Sequence, residues 1–127
     1  MDIIMTSEDK GDHLMIRSAG TIESKEDLFR HSELVYQHVS KSDQRKILID
    51  AIHTLFPADI AFVYEQVDFF SKNLPEEIRL LKIAIVVAPE FSGFGKFWEI
   101  VAESKGYNYH SFISLEKART WLLQEDN

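Results

Sequence analysis

The sequence predicts one α/β domain, residues 1–127, built on a five-stranded mixed, mostly parallel sheet with four helices in the order ββαβαβαβα. Three observations carry that expectation. Two short apolar runs near the start are separated only by a polar, glycine-containing segment, which suits a hairpin. After them, short β-rich runs alternate with longer stretches of helical periodicity, the pattern of right-handed β-α-β crossovers. One of the runs, residues 80–88, is almost continuous in Leu, Ile, Val and Ala, as in a strand covered on both faces.

Residues 2–7 and 13–19 supply the first two strands, joined by Glu8-Asp9-Lys10-Gly11-Asp12. Ser24, with Asp27 three residues on, resembles a capping box, and Leu28, Val35, Tyr36 and Val39 follow at helical spacing, so a helix is predicted over about 24–40. Lys46-Ile47-Leu48-Ile49-Asp50 reads as the third strand, ending at an acid that enters a loop. Pro57 suits a first helical turn. Ile60, Val63, Tyr64, Val67, Phe70 and Leu74 then define the apolar face of a helix over about 58–73, closed by Pro75.

Residues 80–88 form the fourth strand, expected at the centre of the sheet. Past the loop Pro89-Glu90-Phe91-Ser92-Gly93, a third helix is lined by Phe94, Phe97, Trp98 and Val101 and stops at Gly106. Residues 107–113 are the fifth strand. Ser114 caps a last helix carrying Leu115, Ala118, Trp121 and Leu122, which ends in Gln124-Glu125-Asp126-Asn127.

Composition narrows the function. Hydrophobic residues at 45% and charged residues at 28% are globular proportions, enough to fold around one core. With 21 acidic and 14 basic residues the net charge is −7, a field that repels phosphate backbones, so nucleic acid is not expected as a partner. The absence of cysteine removes disulfides, thiolate nucleophiles and thiolate metal sites, and fits a reducing compartment. No basic segment followed by an apolar stretch opens the chain, and the longest apolar run, residues 83–89, falls far short of the roughly 20 residues of a membrane span. A cytoplasmic protein without integral membrane association is expected.

The order of elements, together with Lys105-Gly106, Phe112, Ser114-Leu115-Glu116-Lys117-Ala118 and Trp121-Leu122, resembles STAS domains, the anti-sigma-factor antagonists and uncharacterised bacterial SpoIIAA-like proteins. The residues of that pattern are packing residues: Gly106 ends a helix at positive φ, Phe112 faces the core, and Ala118 with Trp121 seats the last helix. The resemblance implies a SpoIIAA-like fold and a non-catalytic, regulatory protein-interaction role. Signalling STAS domains place an Asp at the end of the third strand and Asp-Ser-Ser-Gly at the start of the next helix. Asp50 matches the first of these, but residues 58–61 read Ala-Asp-Ile-Ala, so the phosphorylated serine has no counterpart. Asp59 is then a degenerate switch position: either a permanent charge in place of phosphoserine, or an acid that stabilises a helix N-terminus by about 0.3–1 kcal/mol.

Ser92-Gly93-Phe94-Gly95-Lys96 joins a buried strand to a helix, where backbone N–H groups can hold an anion. Neither common phosphate motif fits. Glu90 stands where a phosphate loop needs its first glycine and Phe97 where it needs Ser or Thr, and Trp98 occupies the third glycine position of a dinucleotide fingerprint. What remains is a glycine-containing loop at the C-terminal edge of a parallel sheet, the usual ligand edge of open α/β folds. Gly93, Gly95 and Lys96, with Asp50 and His53, are therefore candidates for binding a small apolar or anionic ligand; the related lipid-carrier fold is a further implication of the resemblance. No cofactor is implied.

Asp50 and His53 could also form an acid–base pair with Ser92 as nucleophile, the parts of a hydrolase. There is no G-x-S-x-G elbow, and an enzyme is not expected. His31 and His38 are seven residues apart rather than the three or four of helical metal pairs, and read as solvated; His13 and His110 have no acidic or thiol cluster nearby in sequence, so no metal is assigned. A receiver domain is rejected because a second strand follows Glu8-Asp9, and Ala88 and Ile113 stand where it needs a hydroxyl residue and a lysine.

Phe62 and Phe69 point about 120–140° from the centre of the Val63, Val67, Phe70 and Leu74 face at 100° per residue. Burying each ring is worth about 1.5–3 kcal/mol, enough to favour a homodimer seam, a protein partner or an apolar ligand, unless a neighbouring helix covers them. The leading expectation is an interaction module that binds a protein or a second copy of itself through this helix, its acidic surface suited to a basic partner. A ligand carrier comes second and a hydrolase third. A closed apolar cavity favours the carrier; a flat sheet edge favours the interaction module.

Overall fold

Parallel strands laid side by side in chain order carry every right-handed crossover helix to the same face of the sheet. That arrangement governs this chain. In the computed structural model, which describes residues 3–57 and 59–124, β1 (Ile4–Asp9), β2 (Leu14–Thr21), β3 (Lys46–Leu55), β4 (Lys82–Val87) and β5 (Asn108–Phe112) follow one another across a single sheet. β1 and β2 are antiparallel, and the other neighbours are parallel. Position 2, the expected helix start at 58 and the last three residues of the polar tail lie outside the described residues.

The crossovers are α1 (Lys25–Ser40), α2 (Ala61–Asn73) and α3 (Ser92–Ser104). They bury Leu28, Val63 and Val101 on Ile16, Ile49, Ile85 and Val87. α4 (Leu115–Leu123) covers the other face, setting Ala118 and Leu122 on Met15, Leu48, Ala84 and Val86. Alternation along the strands sorts the two sets. The expected order of elements is the observed one.

Local chemistry sets most boundaries. Gly11, at φ 91°, turns the hairpin, and its N–H donates to Asp9 Oδ1 at 2.8 Å. Ser24 Oγ accepts the Asp27 N–H at 3.1 Å, while Asp27 Oδ2 accepts the Glu23 N–H at 3.1 Å, a close relative of the expected capping box. Ser114 Oγ accepts the Lys117 N–H at 3.2 Å, and Gly106, at φ 89°, follows the end of α3.

Four expectations are corrected. The third strand does not stop at Asp50 but runs to Leu55, because Ala51 and Thr54 are fully buried and β2 continues to pair with it through Thr21, past an irregularity between Arg17 and Ala19. β3, not β4, is the middle strand. β4 also starts later than expected: residues 76–80 form a 3-10 turn that leaves Leu80 exposed, and Lys82, though buried, carries its ammonium to the Gln124 carbonyl at 3.1 Å and over the Trp121 ring at 4.6 Å.

The fourth correction concerns the glycine-containing loop. A single 3-10 turn over Pro89–Phe91 leads directly into α3, so Ser92, Gly93 and Gly95 are helical residues. Gly95 has a packing role: a Cβ there would collide with Ser111 Oγ on β5 and press on Val87. The bare Cα lets α3 lie close to the sheet. Gly95→Ala is therefore expected to lower stability by about 1–3 kcal/mol in urea denaturation, and adding Ser111→Gly to recover much of that loss.

Candidate functional site

The α1–α2 contact is built on a polar side chain. Val63 and Val67 of α2 are buried as expected, but Ile60 and Tyr64, assigned to the same face, are 44% and 53% exposed, and Gln66 is buried instead. Gln66 Nε2 donates to the Leu28 carbonyl at 2.9 Å and to Ser32 Oγ, both on α1. A buried amide is retained where such partners satisfy it. With Gln66 turned to α1, Phe62 becomes half-buried against the core, while Phe69 remains 46% exposed.

The two rings expected to share an outward face are thus divided in burial, yet both line one groove. Phe69 packs on Phe29 of α1 at 5.5 Å between centroids and on Phe70 at 5.4 Å, and Phe29 stacks on Phe70 at 5.1 Å. An open groove of about 380 Å³ runs between the helices, walled by Phe29, Phe62 and Phe69 and rimmed by Lys25, Glu26 and Glu65.

On the inner side of the same helices lies a half-open apolar cavity of about 140 Å³. Ile49, Ile83, Ile85 and Tyr109 form its sheet wall, Val35 and Tyr36 of α1, Phe70 of α2 and Trp98 of α3 its roof. Its half-buried residues, among them Tyr36, Leu74, Ile78, Ile83 and Tyr107, gather near the amino ends of β4 and β5, where the cavity opens.

Among the described residues, no hydrogen bond or ion pair joins one of the residues expected at the opposite, C-terminal edge to another. Gly95 alone among them lines the cavity. Asp50 has Arg17 Nε at 3.8 Å and accepts the Ile52 N–H at 3.3 Å, and no hydrogen bond or ion pair joins it to His53 among the described residues. Lys96 pairs with Glu99 at 3.4 Å, and Gly93 has open space beside it. Asp59 Oδ1 accepts the Ala61 N–H at 2.9 Å, as an acid at the start of α2 does.

The histidines depart from expectation. His31 is not solvated: it is 5% exposed, with Nε2 at 3.1 Å from Ser18 Oγ, which in turn shares a hydrogen bond of 2.7 Å with Thr54. Burial pushes its pKa down to about 4. His13 is buried against Asp12 at 2.6 Å, and that hydrogen bond holds the Asp12 carboxyl below its usual range. His38 meets Ser7 Oγ at 2.7 Å.

His110 has acidic neighbours after all. Its Nδ1 is 3.6 Å from Glu99 and its Nε2 3.4 Å from Glu103, and the three residues present ligand atoms within 4.8 Å of one another. These are the described residues that could hold a metal ion. Glu99 is already engaged by the Ser111 N–H at 2.7 Å. The sequence signal was the Glu99/Glu103 spacing of four on the helix that precedes the strand of His110.

With the topology in place, two solved structures are informative. The chain is similar to an anti-sigma factor antagonist from Mycobacterium paratuberculosis, at a TM-score of 0.62 and 14% identity, over 97% of this chain and 96% of that one. It is also similar to an uncharacterized protein of the DUF3478 family with a SpoIIAA-like fold from Shewanella loihica PV-4, at a TM-score of 0.54 and 15% identity, over 94% and 93% of the two chains. The fold is SpoIIAA-like. No family model matches the sequence, and no curated protein does. At these identities the likeness establishes the path of the chain. In this SpoIIAA-like domain no described helix is long and apolar enough to cross a membrane.

His31 gives the domain an acid-sensitive core. Its folded pKa, about 4, lies below the ordinary 6.5, so its contribution is complete above pH 6.5 and is lost as pH falls toward 4. Urea denaturation across that window should show wild type losing about 3 kcal/mol more than His31→Gln, whose side chain does not titrate.

Proposed function

We propose that this SpoIIAA-like chain is a non-catalytic regulatory module that docks a protein partner in the groove between α1 and α2. The observation that carries the reading is the aromatic cluster there, with Phe29 and Phe69 37% and 46% exposed. Apolar rings held in solvent at a helix–helix groove suit an apolar anchor from a partner. The acidic rim residues Glu26 and Glu65 and the net charge of −7 favour a basic amphipathic segment over a second copy of this chain, whose charge would oppose it.

The partner is not gated by phosphoserine at the start of α2, because residues 58–61 hold no serine. Asp59, its carboxylate engaged by the helix backbone, serves α2 rather than the partner. The role is binding rather than hydrolysis, consistent with Asp50 being engaged by Arg17 and not by His53. A second reading, a carrier of a small apolar ligand, is favoured by the cavity beneath the same helices, and places that ligand at the amino ends of the strands rather than at the C-terminal edge.

Replacing both exposed rings tests the first reading. Phe29→Ser with Phe69→Ser is expected to keep the urea midpoint near wild type, and to weaken binding of a Leu/Lys amphipathic helical peptide at least tenfold in titration calorimetry. Undiminished binding would contradict the groove. Collapse of the fold would show that the rings belong to the core, and sedimentation of the wild type reports whether a second copy occupies the groove instead.

A further inference from the structure

We propose that the cavity beneath α1 and α2 holds a small amphipathic carboxylate, its apolar body inside and its head group at the mouth on Arg79 and Tyr107. The inference rests on the carrier reading and names the ligand class. The cavity has about the volume that accepts one benzene ring in a buried apolar site, which limits the body to an aromatic ring or a short chain.

The head group follows from polar atoms left without partners. Tyr107 lines the cavity, and its hydroxyl oxygen is buried with no hydrogen-bond partner among the described residues. The Arg79 guanidinium lies over the Tyr107 ring, 4.9 Å from its centroid. Two of its nitrogens are fixed by backbone: Nε donates to the Lys105 carbonyl at 3.0 Å and Nη2 to the Ser71 carbonyl at 3.2 Å. Its Nη1 is buried and makes no hydrogen bond among the described residues, although it lies in ion-pair range of Glu76.

Buried polar atoms are nearly always hydrogen-bonded, so the Tyr107 hydroxyl, beside an Arg79 Nη1 whose nearest acid is an exposed carboxylate that makes no hydrogen bond to it, points to a missing acceptor. A carboxylate supplies two acceptor oxygens, one for the Nη1–H of Arg79 and one for the phenol. Burial holds the Tyr107 phenol above its usual pKa, which keeps it a donor. Glu76 already brings a carboxylate to 3.3 Å from Arg79 Nη1, outside hydrogen-bonding geometry, on a side chain that is 87% exposed and free to swing away. That contact shows the charge the position attracts.

The probes are hexanoate and 3-phenylpropanoate against the neutral hexan-1-ol and 3-phenylpropan-1-ol, with binding followed by calorimetry and by the emission of Trp98, which lines the cavity. Wild type is expected to bind the acids at least tenfold more tightly than the alcohols, with a change in Trp emission. Tyr107→Phe, which removes only the hydroxyl, should reduce that preference several-fold, and Glu76→Gln should strengthen acid binding. Arg79→Gln should abolish the preference; if it unfolds the domain, the other two variants decide. Equal binding of acids and alcohols, unchanged by Tyr107→Phe and Glu76→Gln, would overturn the head-group assignment and leave the carrier reading standing. Binding of neither class would overturn both.

Discussion

The buried amide of Gln66 couples the two helices on which both candidate sites are built. Because the strands pair in chain order, α1, α2 and α3 must share one face of the sheet. Gln66 fastens α2 to α1 through the Leu28 carbonyl and Ser32, so the helices meet through a polar clasp rather than a continuous apolar seam. Outside the clasp, Phe29, Phe62 and Phe69 wall a groove; inside, past Ser32, lies the cavity. One hydrogen-bonded side chain thus separates a surface open to a macromolecule from a void sized for a small one.

The two sites share a helix. α1 contributes walls to both. His31 stands on the same helix at the cavity wall, neutral and hydrogen-bonded to Ser18, and adds a proton-sensitive anchor to the sheet. Opposite, at the C-terminal edge, Gly95 admits Ser111, Asp50 accepts the Ile52 N–H, and Lys96 pairs with Glu99.

Much of the fold was legible in the residues because local and long-range preferences agree. Periodicity located every strand and α-helix, and Ser24, Gly106 and Ser114 marked helix ends by chemistry that acts within a few residues. The misreadings have tertiary causes. Asp50 looked like a strand terminus because an acid in mid-strand is costly unless a partner meets it, and Arg17 comes from another strand. His31 read as solvated because its partner lies 13 residues away, and Gln66, absent from the predicted apolar face, is buried by a partner 38 residues away. The Glu99, Glu103 and His110 cluster exists only once α3 folds back beside β5, and the cavity, being a shortage of side-chain volume between elements, leaves no motif at all.

The claim on which these readings converge is that the helix layer sits over the sheet with real apolar space beneath it. A crystal of the protein pressurised with xenon tests that directly, since xenon enters dry apolar cavities of this size. Xenon density bounded by Ile83, Phe70 and Trp98 is the expected result. Side chains collapsed into that volume, with no xenon bound, would contradict it.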